Sequence, residues 1–358
     1  MIDMVLSNLE KFVRPGVRQL TPYQAKHMPQ CIKLDANENP FLWPKGMREG
    51  LFNEELAFNR YPDGMGIELK QAISTYSKIS PEGILIGNGS DELIQLILLT
   101  FGGAGKSLII HPPTFSMYQI GARLTDTSVV EVPLLNGLDL DTEQMLKAAR
   151  SQDAHVMIIC NPNNPTGSLF PREDILQLVR ESGKIVVVDE AYAEFSDETL
   201  IPEIVNYPNL VILRTFSKAF GMAGLRLGYL LGQPETIALI NRVRQPFNVN
   251  LFSQRAGILA LGYLNEYQQQ IQSIKAETQT LYEELRRIQG FVVYPTRANF
   301  ILFKPQDPDR LTSELLKRGF LVRNMGDLPV LGKCLRMSAG LPEENRDFLR
   351  AVREINGG

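Results

Sequence analysis

Lys218 stands just after a short apolar run and just before a glycine-rich segment. The apolar run, Leu210–Leu213, has the length and composition of a buried strand. Ligands of open α/β sheets bind beyond the carboxyl ends of the strands, which is where this lysine would lie. A lysine that loses solvent there has a lowered pKa and can act as a Schiff-base nucleophile, although a lone lysine in a loop is more often simply solvated.

Three other predicted strands are also followed by polar residues. One leads into Gly89-Ser90-Asp91 at the start of a predicted helix, and free N–H groups at a helix start bind phosphate. Another leads into the turn sequence Asn164-Pro165-Thr166-Gly167. A third ends at Asp189-Glu190-Ala191-Tyr192, where a carboxylate beside a fully apolar strand needs a partner. Each feature alone is also explained by a helix cap, a turn or an ion pair.

Together, the four strand ends fit a single ligand. That ligand has an aldehyde, which suits Lys218, and a phosphate, which suits the helix start at Ser90. It also has an aromatic ring with a nitrogen that can be protonated, and a phenolic oxygen. These are the groups of pyridoxal 5′-phosphate, which the sequence therefore predicts as the cofactor.

An alternation of short apolar strands and helices must position these residues. This pattern predicts a largely parallel sheet with helices on both faces, in an α/β fold. The predicted strands are Ile84–Ile86, Ser107–His111, Val129–Pro133, Val156–Cys160, Lys184–Val188, Leu210–Thr215 and Leu227–Leu231. The predicted helices are Ile67–Ser77, Glu92–Thr100, Thr142–Arg150 and Arg172–Ser182.

The pattern changes after about residue 240. Glu266–Gln289 is long and polar with one apolar stripe, which predicts a long amphipathic helix. A second helix is predicted over Pro308–Arg318, with Asp307 as its cap. Further strands are predicted at Phe291–Tyr294, Asn299–Phe303, Phe320–Arg323 and Cys334–Ser338. We therefore expect a smaller α+β domain at residues 246–358, a large cofactor-binding domain at 36–245, and an N-terminal arm at 1–35.

Composition excludes several classes of protein. The 358 residues carry a net charge of -3, which gives no electrostatic footprint for nucleic acid. No apolar run approaches the roughly 20 residues of a membrane span, and no secretory signal is visible at the N-terminus. The three cysteines are scattered, as is typical of a reducing compartment, so we expect a cytoplasmic protein. The three histidines show no ligand spacing, and we predict no metal site.

Two glycine-rich stretches resemble nucleotide-binding motifs, but each lacks one of the required glycines. The segment 102–107, GGAGKS, has Thr100 where a phosphate loop needs its first glycine, and it lies between a helix and a strand in the wrong order. Gly87-Asn88-Gly89 has Glu92 in place of the third glycine of a dinucleotide fingerprint. A nucleoside triphosphatase and a nicotinamide-dependent dehydrogenase are therefore disfavoured.

Ordered motifs along almost the whole chain resemble the fold-type-I aminotransferases that depend on pyridoxal phosphate, specifically the subgroup that includes histidinol-phosphate aminotransferases. The motifs are, in order, LDANENP, RYPDG, GNGSDELI, PPTFSMY, NPNNPTG, VVVDEAY, RTFSKAFGMAGLRLGY, ANFIL and LRMSAG. The resemblance implies a large domain with a mixed, mostly parallel seven-stranded sheet sandwiched by helices, and a smaller α+β domain. It also implies a homodimer, with the arm packed on the small domain and on the partner.

The resemblance assigns roles around the cofactor. Lys218 would be the Schiff-base lysine and proton carrier, Asp189 the partner of the ring nitrogen, and Phe115 the stacking ring in place of a frequent tyrosine. The residues that would hold the phenolic oxygen are Asn164 and Tyr192. The phosphate would be held by Ser90, Asp91 (through its backbone), Thr215, Ser217 and Arg226, with Tyr61 contributed by the partner subunit. Gly221, Gly224 and Gly228 would let the backbone return Arg226 to the phosphate.

The resemblance also implies substrates. L-histidinol phosphate and 2-oxoglutarate would be converted to imidazole-acetol phosphate and L-glutamate, in histidine biosynthesis and by a ping-pong scheme. Arg336 would bind the carboxylate of glutamate or the phosphate of the other substrate, and Arg323 would add a second positive charge. Tyr23 in the arm and Asn37 would complete the substrate site.

Three alternatives remain open at this level. An aromatic or broad-specificity aminotransferase and a threonine-phosphate decarboxylase would use the same cofactor site. A regulatory or binding module that retains only the fold belongs to a different class. Intact Lys218, Asp189 and Arg226 argue against such a module.

Overall fold

A seven-stranded sheet forms the centre of the protein, as the alternation of strands and helices predicts. It is seen in a computed structural model that describes residues 9–18, 20–22 and 28–357. The strands are β1 (Ile32–Lys33), β2 (Ile84–Gly87), β3 (Ser107–Ile110), β4 (Ser128–Glu131), β5 (Ala154–Cys160), β6 (Ile185–Asp189), β7 (Leu210–Thr215), β8 (Gly228–Leu231), β9 (Val292–Val293), β10 (Phe300–Lys304), β11 (Phe320–Leu321), β12 (Arg323–Leu328) and β13 (Gly332–Ser338).

Helices surround this sheet and form most of the C-terminal part. They are α1 (Pro15–Arg18), α2 (Lys45–Phe52), α3 (Ile67–Ser77), α4 (Gly89–Phe101), α5 (Met117–Leu124), α6 (Thr142–Ala149), α7 (Arg172–Glu181), α8 (Ala193–Ser196), α9 (Pro234–Asn241), α10 (Leu251–Gly262), α11 (Leu264–Arg286), α12 (Pro308–Lys317) and α13 (Pro342–Gly357). Short 3-10 turns occupy Pro81–Gly83, Ile201–Glu203 and Ala223–Leu225. None of the helices in these described ranges is long and apolar enough to cross a membrane.

The strand order of the large sheet is β2-β8-β7-β6-β5-β3-β4. All neighbours are parallel except β8, which runs antiparallel to both β2 and β7. The predicted mixed, mostly parallel seven-stranded sheet is therefore confirmed. Because side chains alternate along a strand, Val186 and Val188 enter one apolar core while Val187 enters the other. Helices α3, α6 and α7 cover the first face, and α4, α5 and α9 cover the second.

A second sheet, of order β12-β13-β10-β9, is antiparallel throughout. Helix α11 packs along it with one buried stripe, spaced three and four residues apart. The stripe consists of Tyr267, Ile271, Ile274, Thr278, Leu281 and Leu285. The predicted cap of α12 is present, since the Asp307 carboxylate accepts a hydrogen bond from the Arg310 N–H at 2.9 Å.

The N-terminal segment contacts both parts of the protein. Strand β1 pairs in parallel with β11, beside the second sheet. Helix α1 instead packs against α5, where Arg14 forms an ion pair with Asp126. The segment therefore bridges the second sheet and the large sheet within one chain.

Candidate active site

A cavity of about 440 Å³ lies at the carboxyl edge of the large sheet and is also lined by residues of β12 and β13. It brings together most of the residues that the sequence analysis singled out. Those in its wall are Asn37, Ser90, Asp91, Phe115, Asn164, Asp189, Tyr192, Thr215, Ser217, Lys218, Arg226, Arg323 and Arg336.

The strand directions explain why these residues converge. Strands β5, β6 and β7 run in parallel and end at Cys160, Asp189 and Thr215, so their last residues share one edge. Strand β8 runs the other way and begins at this edge. Arg226, which precedes a strand, therefore reaches the same place as Lys218, which follows one.

Two of the three glycines near the lysine have a conformational reason. Gly221 has a positive φ of 61°, which a residue with a side chain adopts only with strain. Gly228 lies so close to the start of α4 that an added Cβ would stand 2.9 Å from the Ser90 nitrogen. A side chain at Gly224 would meet open space, so the expectation that Gly224 is required for the turn is wrong. Arg226 itself adopts a left-handed φ of 51°.

Lys218 lies partly buried on the floor of the cavity. Its Nζ donates a hydrogen bond to the Ala36 carbonyl at 3.0 Å. Burial, with a further contribution from the nearby Arg336 charge, lowers the pKa of Lys218 to about 8. A substantial fraction of this amine is therefore neutral, and nucleophilic, close to neutral pH.

Asp189 is buried and held by two donors. The Tyr118 hydroxyl donates to Oδ2 at 2.7 Å, and the Ala191 N–H donates to Oδ1 at 3.1 Å. Burial nevertheless raises the pKa of Asp189 to about 6, against the effect of those two hydrogen bonds. A cationic group placed beside this carboxylate would restore its charge.

Asn37 orients the Tyr192 hydroxyl. The Asn37 Nδ2 donates to the Tyr192 oxygen at 3.0 Å, so the hydroxyl proton is left to point elsewhere. The Asn37 backbone is fixed in turn, because its N–H donates to the Ser338 Oγ at 2.7 Å and its carbonyl accepts from Asn299 at 3.1 Å. Asn37, expected to contact substrate, is thus a buried residue of the cavity wall that links the Tyr192 hydroxyl to β13.

Arg336 connects the two sheets across the cavity. Its Nη1 donates to the Asn164 Oδ1 at 2.5 Å, and its Nη2 donates to the Asp35 carbonyl at 2.8 Å. Because the Asn164 oxygen is engaged, its amide N–H groups are the part that can donate to a ligand. Arg323 faces Arg336 directly in the register between β12 and β13, and both line the cavity.

The far end of the cavity has the donors of an anion site. Helix α4 begins at Gly89, and its first N–H groups have no partner within the helix. The Arg226 Nη2 donates to the Asp91 carboxylate at 2.8 Å, and the two side chains are both part-exposed. Gly89 permits this approach, because a Cβ there would lie 2.6 Å from the arginine nitrogen. The Ser217 N–H donates to the Thr215 hydroxyl at 3.1 Å, which fixes the adjoining loop.

Three further residues were predicted for the site, and of the two that the structure describes only Phe115 lies in the cavity wall. Phe115 lies in the cavity wall with its ring edge-on to Tyr118. Tyr61 is 81% exposed, stacks on Phe247 with ring centroids 4.6 Å apart, and is not part of its own chain's cavity. Tyr23 lies outside the described residues.

Sequence reasoning missed Asp35, Tyr118 and Cys160. Asp35 lines the cavity, and its buried Oδ1 accepts no hydrogen bond from the residues that the structure describes. Tyr118 holds Asp189 from α5, and Cys160 pairs with Asp189 in the sheet register. No local pattern pairs Tyr118 with Asp189, which lies 71 residues further along the chain. A signal for Asp35 was available, because it lies two residues before Asn37 in the LDANENP motif.

These groups fit pyridoxal 5′-phosphate. The free N–H groups of α4 and the Arg226 guanidinium suit a phosphate, and the close approach at Gly228 shapes that end of the cavity. Asp189 is a buried carboxylate with its own donors but no cation within hydrogen-bond reach among the described residues. It suits a protonated ring nitrogen, while the Tyr192 hydroxyl and the Asn164 amide suit a phenolic oxygen.

Comparisons with known proteins agree with this chemistry. Residues 29–352 match the family described as aminotransferase class I and II. A curated histidinol-phosphate aminotransferase of Desulfitobacterium hafniense (strain Y51) is 56% identical over 99% of both chains. The crystal structure of the histidinol-phosphate aminotransferase from Clostridium acetobutylicum superposes with a TM-score of 0.84 at 30% identity, covering 91% of this chain and 99% of that one. A Sinorhizobium meliloti histidinol-phosphate aminotransferase in complex with pyridoxal 5′-phosphate has a TM-score of 0.86 at 25% identity, covering 96% and 97%.

Proposed function

The chain belongs to the aminotransferase class I and II family, and we propose that it transfers the amino group of L-histidinol phosphate to 2-oxoglutarate, giving imidazole-acetol phosphate and L-glutamate. It is a pyridoxal-phosphate-dependent transferase, and the pathway it serves is histidine biosynthesis.

One observation of the structure supports this function above others. A single cavity holds the Lys218 amine, the Asp189 carboxylate and two opposed arginines, Arg323 and Arg336. The first two residues serve the cofactor, and the arginines serve an anionic substrate. Because both substrates would use the same cavity, they must bind in turn, which predicts ping-pong kinetics.

The Lys218 amine has two tasks. It would hold the cofactor through the aldehyde, and as a free amine with a pKa of about 8 it would be a suitable base for the proton on the substrate Cα. When bound, pyridoxal 5′-phosphate supplies an electron sink for the pair left on that carbon. Such proton transfer by a positioned side chain contributes about 10²–10⁴-fold to the rate.

The residues around Lys218 would fix the ring and its charge. Asp189, which is buried, would pair with the protonated ring nitrogen. Tyr192 and Asn164 would donate to the phenolic oxygen, with their directions set by Asn37 and Arg336. Phe115, in the cavity wall, would stack on the ring.

The two arginines account for a site that accepts both substrates. Histidinol phosphate carries its phosphate ester where glutamate carries its α-carboxylate, so Arg336 can bind either anion through its planar fork. The phosphate group is larger than a carboxylate and carries more negative charge. Arg323, on the opposed position of β12, would add the second positive charge that this dianion needs.

Asp35 offers the cavity an acceptor for the imidazole of histidinol phosphate. Its Oδ1 is buried and accepts no hydrogen bond within the described part of the chain, which is costly unless a ligand supplies a donor. An imidazole N–H is such a donor, whereas the side chains of glutamate and phenylalanine have none. The carboxylate would therefore favour histidinol phosphate over both of these amino acids.

We further propose that the protein acts as a homodimer in the cytoplasm. Tyr61 is exposed beside Phe58 and Phe247, and a partner subunit would cover these side chains while Tyr61 reaches the partner's phosphate site. Met65 and Ile67, which follow in the chain, are also exposed. Cys31, Cys160 and Cys334 are free thiols, as is typical of a reducing compartment.

Steady-state rates with three amino compounds test the substrate assignment. Histidinol phosphate should give a kcat/KM well above that of phenylalanine with 2-oxoglutarate as acceptor, and phosphothreonine should yield no carbon dioxide. A higher kcat/KM for phenylalanine would favour an aromatic or broad-specificity aminotransferase. Release of carbon dioxide from phosphothreonine would favour a threonine-phosphate decarboxylase.

A further inference from the structure

The carboxylate of Asp189 is held on both oxygens, and the two holding groups differ in kind. Oδ1 accepts from the Ala191 N–H, which lies two residues along the same loop. Oδ2 accepts from the Tyr118 hydroxyl, which arrives from α5, 71 residues away in the chain. The first contact belongs to the local turn, but the second exists only because α5 packs against the end of the sheet.

Packing alone does not require a hydroxyl group at position 118. Its side chain is fully buried in the core between α5 and the sheet, where a phenylalanine would fill the space equally well. A buried hydroxyl without a partner is costly, and the partners of this one are Asp189 at 2.7 Å and the neighbouring Cys160 thiol. The ring of Tyr118 also meets Phe115 edge-on, with centroids 5.6 Å apart.

We propose that Tyr118 is a positioning residue that stabilises the charged form of Asp189 and thereby keeps the shared proton on the cofactor's ring nitrogen. The inference rests on the proposed role of Asp189 as the partner of that nitrogen. A hydroxyl that donates to a carboxylate stabilises its ionised form, and it also stops the carboxylate from rotating.

The other charged and titratable groups around Asp189 make such a donor necessary. Burial and two negative neighbours, Asp91 and Glu190, act to raise the pKa of Asp189. Two weakly acidic groups, the Cys160 thiol and the Tyr192 hydroxyl, also face it, and burial raises the pKa of each, so they stay neutral. The Tyr118 hydroxyl and the Ala191 N–H act in the other direction and lower the pKa of Asp189. Removing the hydroxyl therefore moves the proton towards the carboxylate.

Tyr118→Phe isolates the hydroxyl, because the ring that packs against Phe115 is retained. Tyr267→Phe is the matched control, since Tyr267 is equally buried but its hydroxyl contacts Met47 outside the cavity. In cofactor-free protein with ¹³C at the aspartate carboxyl carbons, the Asp189 signal, assigned with Asp189→Asn, should titrate near pH 6. In Tyr118→Phe this midpoint should rise by about one pH unit.

The loaded protein gives a second readout that does not depend on turnover. With ¹⁵N at the ring nitrogen, the nitrogen should be protonated in the wild type and less so in Tyr118→Phe, and the Kd of the cofactor should rise roughly tenfold. Unchanged midpoints and an unchanged nitrogen shift in folded Tyr118→Phe would overturn the inference. If Asp189→Asn still loses the cofactor in that case, the proposed role of Asp189 stands without Tyr118.

A further variant covers the possibility that Tyr118→Phe does not fold. A 3-fluorotyrosine at position 118 keeps the ring and the hydroxyl but makes the hydroxyl a better donor. It should shift the Asp189 midpoint in the opposite direction, to lower pH. A midpoint identical to the wild type would again contradict the inference.

Discussion

Arg323 and Arg336 stand directly opposite each other on neighbouring antiparallel strands, and both line the cavity that contains Lys218. Side chains at opposed positions of an antiparallel pair lie on the same face of the sheet, so two positive charges are concentrated on one wall. An anionic ligand in the cavity would be attracted to both guanidinium groups.

This pair predicts that substitutions of the two arginines change kcat/KM differently for the two substrates. Arg336→Ala should lower kcat/KM for glutamate and for histidinol phosphate by roughly 10²–10³-fold, because a charge-assisted, partly buried contact is lost. Arg323→Ala should lower kcat/KM for histidinol phosphate much more than for glutamate. Arg318→Ala is the control, since Arg318 pairs with Glu314 away from the cavity. Equal losses for both substrates in Arg323→Ala would contradict a phosphate-specific role.

Asp35 predicts a preference for the imidazole ring. Asp35→Ala should lower kcat/KM for histidinol phosphate by roughly 10–10²-fold and leave that for glutamate nearly unchanged, because one hydrogen bond to a charged acceptor contributes about 1.5–3 kcal/mol. Asp35→Asn keeps an oxygen acceptor and the backbone carbonyl that Arg336 uses, so it should retain more of the activity. A loss that is the same for both substrates would indicate a structural role instead.

The lowered pKa of Lys218 predicts a pH dependence in the cofactor-free protein. The folded state disfavours the charged amine, so the neutral, reactive form accumulates as pH rises through about 8 rather than through 10.5. The rate of modification of Lys218 by an amine-directed reagent, followed by peptide mass spectrometry, should reach half its maximum near pH 8. Reaction at Lys147, on the surface helix α6, provides a comparison in the same sample. A half-maximum near pH 10.5 for Lys218 would show that burial does not activate it.

Removing the Asp189 carboxylate should weaken cofactor binding and catalysis together. Asp189→Asn leaves the ring nitrogen without a charged partner, and breaking a buried ion pair costs roughly 3–5 kcal/mol. The Kd of pyridoxal 5′-phosphate, measured by equilibrium dialysis against the cofactor-free protein, should rise by at least 10²-fold. Asp91→Asn is a useful comparison, because Asp91 lines the same cavity and pairs with Arg226 instead. A Kd that rises as much in Asp91→Asn would remove the special role of Asp189.

Most of the fold could be predicted from the sequence, because the strand ends are marked by a change from apolar to polar residues. Strand β6 is fully apolar up to Asp189, and β7 is apolar up to Arg214, so the polar residues that follow were placed correctly. The cap at Asp307 was visible for the same reason, since a capping residue and a proline stand together.

Elements that depend on tertiary contacts were not visible. The strand predicted over Phe320–Arg323 is two strands, β11 and β12, and β12 has no apolar alternation. It exists because it pairs with β13, which is also what brings Arg323 to the cavity. Helix α10 was missed because it is apolar without a clear face. The contact between Tyr118 and Asp189 joins residues 71 apart, and no local pattern encodes it.

Tyr61 predicts that each active site is shared between two subunits. Its ring is exposed and lies outside the cavity of its own chain, so a role in cofactor binding requires a partner. Lys218→Ala and Tyr61→Ala should each be impaired as homodimers. A mixed dimer contains one chain of each variant. One of its two sites has both defects, and the other has intact Lys218 from one chain and intact Tyr61 from the other. Equal mixing after reversible dissociation should therefore restore roughly a quarter of the wild-type sites. Activity that stays at the mean of the two separate variants would show that Tyr61 serves no site in the partner. Tyr61→Phe is the control, and it should dimerise like the wild type because it keeps the ring that stacks on Phe247.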